Sequence, residues 1–463
     1  MQLLSLLNDV DFPLLQDGFY IDLGWLGQFI RILIESAGVI GLGIIVFTLI
    51  LRAIVLPIDI FQRIKMRKQS LIMKQMKPEL EKLQQQYKND NQTYSRKMME
   101  LYKKNGYSIF GACLPMIVSM VILIVAITSL NNYSQYANCT VYEKMTAAYN
   151  SAVLTYSLDE EDDPTLIDIT EETKDGNTFV VVKGKAADKF IYYRYNKNAT
   201  EPVREYRIDT AKLYAYAGEE IDALLAELQK TTPTATTEDA CRQYVRDIGS
   251  TAAAQQYRNE PPSFLWIKNI WIPDVSYNHP IQDYNSFVSS IRNNVTIEKV
   301  VYQENEETGE MEEVVVKEQK SMSEIVDQGI YESITAKLDD EKAAPNGYFV
   351  LVVLSIGLMF LQQFITMRSQ KETTQFGSVD GSGKRQQKMM LIIFPLIYAF
   401  FAFMYSAAFS IYMVVSSIIG ILLTVLSNLI IGHIFNKKEE AEFVESKTRR
   451  APVKNYRDEK RKK

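Results

Sequence analysis

Between Lys388 and Lys437 the chain runs for 48 residues without an Asp, Glu, Lys or Arg. As one helix this tract would be roughly 72 Å long, more than twice the hydrocarbon thickness of a bilayer. It must therefore fold back on itself, and Ser406–Ala408 is the expected turn. Three further uncharged apolar runs precede it, Ala37–Leu51, Ile109–Leu130 and Tyr348–Met367. Each is close to the ~20 residues that span a membrane as a helix. The sum is five spans. The overall figure of 23% charged residues conceals this, because it averages apolar runs with highly charged connections.

The placement of charge orients the spans, since cytoplasmic loops carry an excess of Lys and Arg. Asp59–Ser108 has 12 basic and 5 acidic residues, whereas Asn132–Asn346 has 21 basic and 38 acidic. The Arg368–Lys388 loop and the tail after His433 are also net basic. The consistent topology has the N-terminus outside and the C-terminus inside, in a multi-pass plasma-membrane protein. Met1–Leu7 is too short for a signal-peptide core and has no basic residue before it, so a cleaved leader is not expected. The pattern predicts an extracytoplasmic segment at 1–36, TM1 at 37–57, a cytoplasmic helical hairpin at 58–108 and TM2 at 109–131. There follow an extracytoplasmic insertion at 132–346, TM3 at 347–367, a cytoplasmic loop at 368–388, TM4 at 389–405, TM5 at 408–432 and a basic tail at 433–463. The fold class is an α-helical polytopic membrane protein with an α+β extracytoplasmic insertion.

Local patterns refine this. Gly24–Ile34 reads as a helix lying in the outer interface, with Trp25, Leu26, Phe29, Ile30 and Leu33 on one face and Gln28 and Arg31 opposite, or else as an extension of TM1. In the hairpin, Ile60–Tyr87 and Tyr94–Asn105 are helical, with a turn at Lys88–Asn91 and Gly106 as C-terminal cap. Pro78 should kink the first helix or begin a new one. Met66, Met73, Met76, Met98 and Met99 cluster there, either as an adaptable surface for apolar partners or as packing between the two helices. Strand-like runs occur at Thr178–Val182, Phe190–Tyr195, Val300–Gln303 and Glu312–Lys317, with helical patterns at Glu219–Gln229 and Thr237–Gln256. Cys139 and Cys241 share the insertion, where pairing is permitted but not readable from sequence.

No nucleophile–base pair and no nucleotide fingerprint is present. The two histidines, His279 and His433, are far apart, so no metal site is expected. Gly381-Ser-Gly-Lys384 lacks phosphate-loop spacing, and Arg385 stands where a Ser or Thr belongs. Neither an enzyme nor a cofactor is expected. Arg52 is the residue that demands a function. A charge at bilayer depth is costly and usually faces a protein interior or a water-filled cavity. Yet Arg52 is only about 6 Å of helix from Leu56, so snorkelling to the headgroups is an equal alternative on position alone.

The run Arg52-Ala-Ile-Val-Leu-Pro57 leads into Lys77-Pro-Glu-Leu-Glu-Lys-Leu-Gln-Gln-Gln-Tyr-Lys88. Lys97-Met-Met-Glu-Leu-Tyr-Lys103 and Gly111-Ala-Cys-Leu-Pro115 follow. Further on come Phe264-Leu-Trp-Ile-Lys-Asn269 with Pro273-Asp274, Phe360-Leu-Gln-Gln363, and Lys388-Met-Met390 with Pro395. In this order and spacing the chain resembles the YidC-type insertases, relatives of the mitochondrial oxidase-assembly and thylakoid insertases. The resemblance covers about half the chain.

It implies a five-helix bundle in which the arginine at the Arg52 position faces a hydrophilic groove open to cytoplasm and lipid. It also implies an insertase that places nascent membrane proteins in the bilayer, alone or beside the Sec translocon, without a nucleotide of its own. Ser119, Gln362, Gln363, Ser410 and Ser416 are candidates to line that groove, although each can equally bond its own helix backbone. The basic tail, with nine basic and two acidic residues in Lys447–Lys463, suits ribosomal RNA or anionic lipid, or is simply a positive-inside anchor.

Four departures stand out. Ser108-Ile109 replaces the usual Asn-Pro, and Ser119-Met-Val121 replaces a glutamine and proline. The last-span Pro-Ala-Gly-Leu signature is Ser406-Ala-Ala-Phe409, which puts the geometry of that hairpin in doubt. The segment 132–346 divides into two insertions, roughly Ala137–Glu260 and Tyr277–Ala344, around Phe264–Asp274. Other functional classes remain: a transporter or channel gated by the outer domain, or a receptor-like assembly factor. A transporter has no evident use for the basic hairpin, and no internal repeat of the transporter kind is visible; a receptor's lone anchor would need neither five spans nor Arg52.

Overall fold

The computed structural model describes residues 21, 23–106, 109–153, 165–174, 176–186, 190–199, 205–291, 295–304, 311–369 and 382–448, some of them in backbone only. In chain order the main helices are α1 (Gly24–Ser36), α2 (Ile40–Gln86), α3 (Asn91–Lys104) and α4 (Ile109–Val153), then α5 (Thr210–Thr231) and α6 (Thr237–Asn259). The last three are α7 (Val350–Ser369), α8 (Ser382–Met404) and α9 (Ala407–Thr448). Strands β1 (Ile167–Lys174), β2 (Asn177–Gly184), β3 (Ile191–Asn196) and β4 (Glu205–Ile208) form an antiparallel meander. Strands β5 (Val295–Glu304) and β6 (Met311–Lys320) form a separate hairpin. The chain divides into two compact units. One is Met1–Ile40, Ser129–Phe349 and Ser406–Ala408; the other is Gly41–Thr128, Val350–Tyr405 and Phe409–Lys463.

The second unit is helical. By length and composition, three stretches among the described residues can cross a membrane: Ile40–Lys65, Val350–Arg368 and Ala407–Ile430. Pro395–Met404 is a shorter apolar helix. Large apolar side chains on these helices, such as Ile54, Phe61, Val353, Phe364, Leu396, Phe400, Leu422 and Leu429, are exposed. A water-facing surface rarely carries so many, and a lipid-facing one requires them. α8 ends at Met404 and α9 begins at Ala407, so the fold-back falls at Tyr405–Ser406, slightly before the expected Ser406–Ala408.

Helix α2 passes through both Pro57 and Pro78. Pro78 does not begin a new helix, and Met76 and Leu80 on either side of it pack with Tyr102 of α3 in one small core. α3 starts earlier than expected, at Asn91, where the Asp90 carboxylate accepts from the Thr93 N–H (3.0 Å). It ends at Lys104, with Asn105 as C-cap and Gly106 following at a φ of +69°, which suits glycine.

The first unit holds the insertion. Helix α4 runs on well past residue 131, and its last turns place Tyr142, Met145, Tyr149 and Val153 at helical spacing in the main core. The same core takes Leu213 and Ile221 of α5, Val245 and Ala253 of α6, and Phe287, Tyr331 and Ile334 of the second insertion. Both insertions therefore contribute to one core. α6 opens with a capping box between Thr236 and Asp239. On one face of the meander, Val180 and Val182 pair across to Tyr195 and Tyr193 and form a small cluster with Ile167. β1 and β4 are additional to the expected strands. Cys139 and Cys241 are free thiols, and burial pushes Cys139 up to about 12, which leaves it inert.

Helix α1 is separated from α2 by a turn in which Gly38 has φ +70°. Its expected apolar face is split: Ile30 is buried with Gly27 and Ile34, while Trp25 is exposed. Arg31 lies over the Tyr136 ring at 5.2 Å and bonds Glu35, a partnership that draws this side of the helix inward.

Within the first unit, a polar knot joins the segment 264–274 to residues 346–348. Asn346, fully buried, donates from Nδ2 to the carbonyls of Asn269 (2.9 Å), Ile272 (3.3 Å) and Pro273 (3.0 Å). Its Oδ1 accepts from the Asn269 N–H at 2.7 Å. The Asp274 Oδ1 accepts from the Tyr348 N–H at 2.8 Å. The N–H groups of Ala407 and Ala408, unpaired within their own helix, donate to the carbonyls of Ile272 and Ile270 (3.0 Å each).

Candidate functional site

Arg52 sits within the apolar length of α2 with its side chain only 19% exposed. The Nε donates to the Ser416 hydroxyl of α9 at 2.9 Å, and Nη2 donates to the same oxygen. Nη1 is 4.0 Å from the Asp59 carboxylate, two turns further along α2. A second guanidinium follows: Arg63 Nη1 donates to Thr424 Oγ1 at 3.0 Å, and that hydroxyl donates to the Gly420 carbonyl at 2.7 Å. At 100° per residue, Asp59 and Arg63 lie within about 20° of Arg52 around the helix. Ser416, Gly420 and Thr424 recur every four residues on α9 and face them. The result is a polar seam between two apolar helices, on the order of 16 Å long from Arg52 to Arg63.

The amide of Gln362 on α7 completes one side of the seam. It lies so close to Gly420 that any Cβ there would collide with it. Glycine at 420 permits this approach, and a side chain there would have to displace the flexible end of Gln362. Gln62 is also buried on α2.

Of the expected lining residues, Ser416 contacts Arg52 directly and Gln362 lies against α9. Gln363 is half-buried on α7. Ser410 is fully buried, its hydroxyl without a partner among the described residues. The side chain of Ser119 lies outside those described, as do those of Met66 and Met73. Among the other methionines, Met76 is buried with Leu80 and Tyr102 in the core of the α2–α3 hairpin, and Met98 packs against that core. Met99 is exposed.

Asp59, Gln62, Arg63, Gly420 and Thr424 were not anticipated. The first three were assigned to the cytoplasmic hairpin because they follow Pro57. Extending the helical face of Arg52 by seven and eleven residues finds Asp59 and Arg63. Nothing short of the packing itself finds Gly420.

Long apolar helices with outward apolar faces, and a part-buried guanidinium between two of them, define a helical membrane protein. The model of the 60Kd inner membrane protein family matches residues 32–200 and 252–433, well over half of the chain, and the chain belongs to this family. It is 34% identical over 116 residues to a protein of Caldanaerobacter subterraneus named membrane protein insertase YidC, covering 25% of this chain and 54% of that one. Proteins of the same name from Fusobacterium nucleatum and Clostridium tetani are each 37% identical, over 102 and 92 residues. These matches cover 21% and 20% of this chain and 48% and 40% of theirs. The chain spans about half the length of the curated relatives it matches. It is a bacterial membrane protein by these likenesses.

Proposed function

We propose that this protein is a membrane protein insertase, which takes nascent membrane proteins from the cytoplasmic side and passes them laterally into lipid. The observation that carries the reading is a guanidinium held part-buried in an apolar helix, in a chain of this family. A fixed positive charge at reduced dielectric attracts an acidic tail more strongly than water does. A hydrated slot shortens the apolar path over which polar residues must be carried.

In this reading the spans number five, with the 109–131 stretch of α4 and the 389–405 stretch of α8 joining the three long apolar helices. The N-terminus is outside and the C-terminus inside. The groove comprises Arg52, Ser416, Gln362 and Gln363, with Ser119 and Ser410 on the neighbouring spans. The α2–α3 hairpin receives the client through its exposed surface, including Met99. The Sec translocon is an expected partner, and the basic tail, whose last 15 residues lie outside the described ones, is an expected handle for the ribosome. No enzymatic step and no cofactor is invoked.

The test uses proteoliposomes holding only this protein and matched clients with acidic or neutral translocated tails. Wild type should insert both, and Arg52→Ala should lose the acidic client preferentially, by about tenfold (roughly 1.4 kcal/mol). Arg52→Lys should retain much of the activity, because a flexible tail needs a charge more than a bidentate fork. Equal losses for both clients would refute a role for the charge, and no insertion by wild type would refute the insertase itself.

A further inference from the structure

The seam carries an acid of its own. Arg52, Asp59 and Arg63 share one face of α2, and Asp59 is the group of opposite sign nearest to the Arg52 guanidinium among the described residues. Their geometry is specific. Arg52 commits Nε and Nη2 to the Ser416 hydroxyl and turns Nη1 toward Asp59, but at 4.0 Å. That is an ion pair without a hydrogen bond, since charge-assisted N–H···O contacts close to about 2.7–2.9 Å. Arg63 is differently placed, with Thr424 as hydrogen-bond partner. Arg52 thus keeps one edge of its fork loosely neutralised and open to a better carboxylate, while Ser416 holds the other edge in place.

We propose that Asp59 is a built-in competitor for Arg52, a specificity-determining residue that occupies the guanidinium until an acidic client segment displaces it. This deepens the insertase reading and rests on it for the identity of the ligand, an apolar segment with carboxylates at its leading end. Two consequences follow from the placement. Asp59 lowers the cost of keeping two guanidinium groups on one apolar helix face, because paired charges are less penalised than isolated ones. It also sets a threshold: a client must bring enough negative charge to exchange one carboxylate for another, so weakly acidic segments are discriminated against.

The experiment compares wild type, Asp59→Asn and Asp59→Glu in lipid nanodiscs. Each binds a fluorescent apolar peptide ending in Asp-Asp or in Asn-Asn, and the same variants are assayed for insertion in proteoliposomes. Asp59→Asn should raise the ratio of acidic to neutral binding by about tenfold, roughly 1.4 kcal/mol. Asp59→Glu, which keeps the charge, should stay near the wild-type ratio. In the Arg52→Ala background Asp59→Asn should no longer change the ratio, because the competitor has nothing to compete for. The rise should shrink in high salt, as expected for a partly exposed pair.

An unchanged or lowered ratio for Asp59→Asn, with Asp59→Glu folded and at wild-type ratio, overturns the proposal. So does a rise that persists without Arg52. The two readouts separate failures: peptide ratios that shift as expected in a protein that inserts no client sink the insertase reading and leave the competitor standing. Insertion that proceeds normally with an unmoved ratio does the reverse.

Discussion

Asn346 offers the sharpest test of how the insertion domain is held together. Its side chain makes four hydrogen bonds, three donated to the carbonyls of Asn269, Ile272 and Pro273 and one accepted from the Asn269 N–H. In Asn346→Ala the carbonyls are not stranded. Ile272 still accepts from Ala407, Pro273 from Val275, and Asn269 from Ile272. The Asn269 N–H loses its partner inside a buried site, at a cost of about 1–3 kcal/mol. The donated bonds add net losses near 1 kcal/mol, so about 3 kcal/mol is expected in all. For a unit of this size that lowers Tm by roughly 6–12 °C. Asn346→Asp discriminates further, because it keeps the acceptor but sets a carboxylate oxygen against three carbonyls. It should be worse than alanine at neutral pH. It should also recover in acid: burial among carbonyls raises the folded pKa of the new Asp above its unfolded value, so the native state binds the extra proton and gains as pH falls. The assay is thermal unfolding of the purified protein followed by the fluorescence of Trp266 and Trp271. A shift under about 2 °C for the alanine variant, or an Asp variant as stable as wild type at neutral pH, would refute this account of the knot.

Other outcomes follow from single contacts. Gly420→Ala should drive the Gln362 amide away from α9 and impair insertion, and the added Gln362→Ala should restore part of it, as read by the same proteoliposome assay. The Arg258 guanidinium donates to both Glu341 oxygens, at 2.7 and 3.2 Å, and holds that carboxyl below its ordinary range. The folded pKa is depressed, so the stabilisation is present at neutral pH and is lost as pH falls through that lowered value; Arg258→Gln should flatten this acid limb of a Tm-versus-pH curve. Truncation after Phe435 should weaken co-sedimentation with ribosomes at low salt, and unchanged co-sedimentation would remove the tail from the list of handles.

Sequence was most legible where one physical effect dominates. Uncharged apolar runs mark α2, α7 and α9 because bilayer solvation leaves few alternatives. Gly106 and the β2 and β3 runs were readable from caps and alternation. β1 was not, since Ile167 is its single buried side chain and the remainder, Asp-Ile-Thr-Glu-Glu-Thr-Lys, is held by backbone pairing with β2. The apolar run marks only residues 109–131 of helix α4, whereas the core contacts of Tyr142 through Val153 carry the helix on. Arg52 was identified as the singular residue, but whether it faced headgroups or protein needed Ser416, 364 positions away. Asn346, between Pro345 and Gly347, looks like an ordinary turn residue, and only the fold brings Asn269 to it.

The pairing of Ala407 and Ala408 with Ile272 and Ile270 bears on how such chains diverge. Main-chain N–H groups meet main-chain carbonyls there, so the contact is indifferent to which side chains the four positions carry. What it constrains is volume: Ala407 and Ala408 are completely enclosed, and a larger residue would push the helix end off its acceptors. Such a site can trade one small residue for another without loss of the backbone contact. The altered signature at Ser406–Phe409 is therefore compatible with an unaltered attachment, and substitutions that preserve size at 407 and 408 should be silent where a valine or leucine would not.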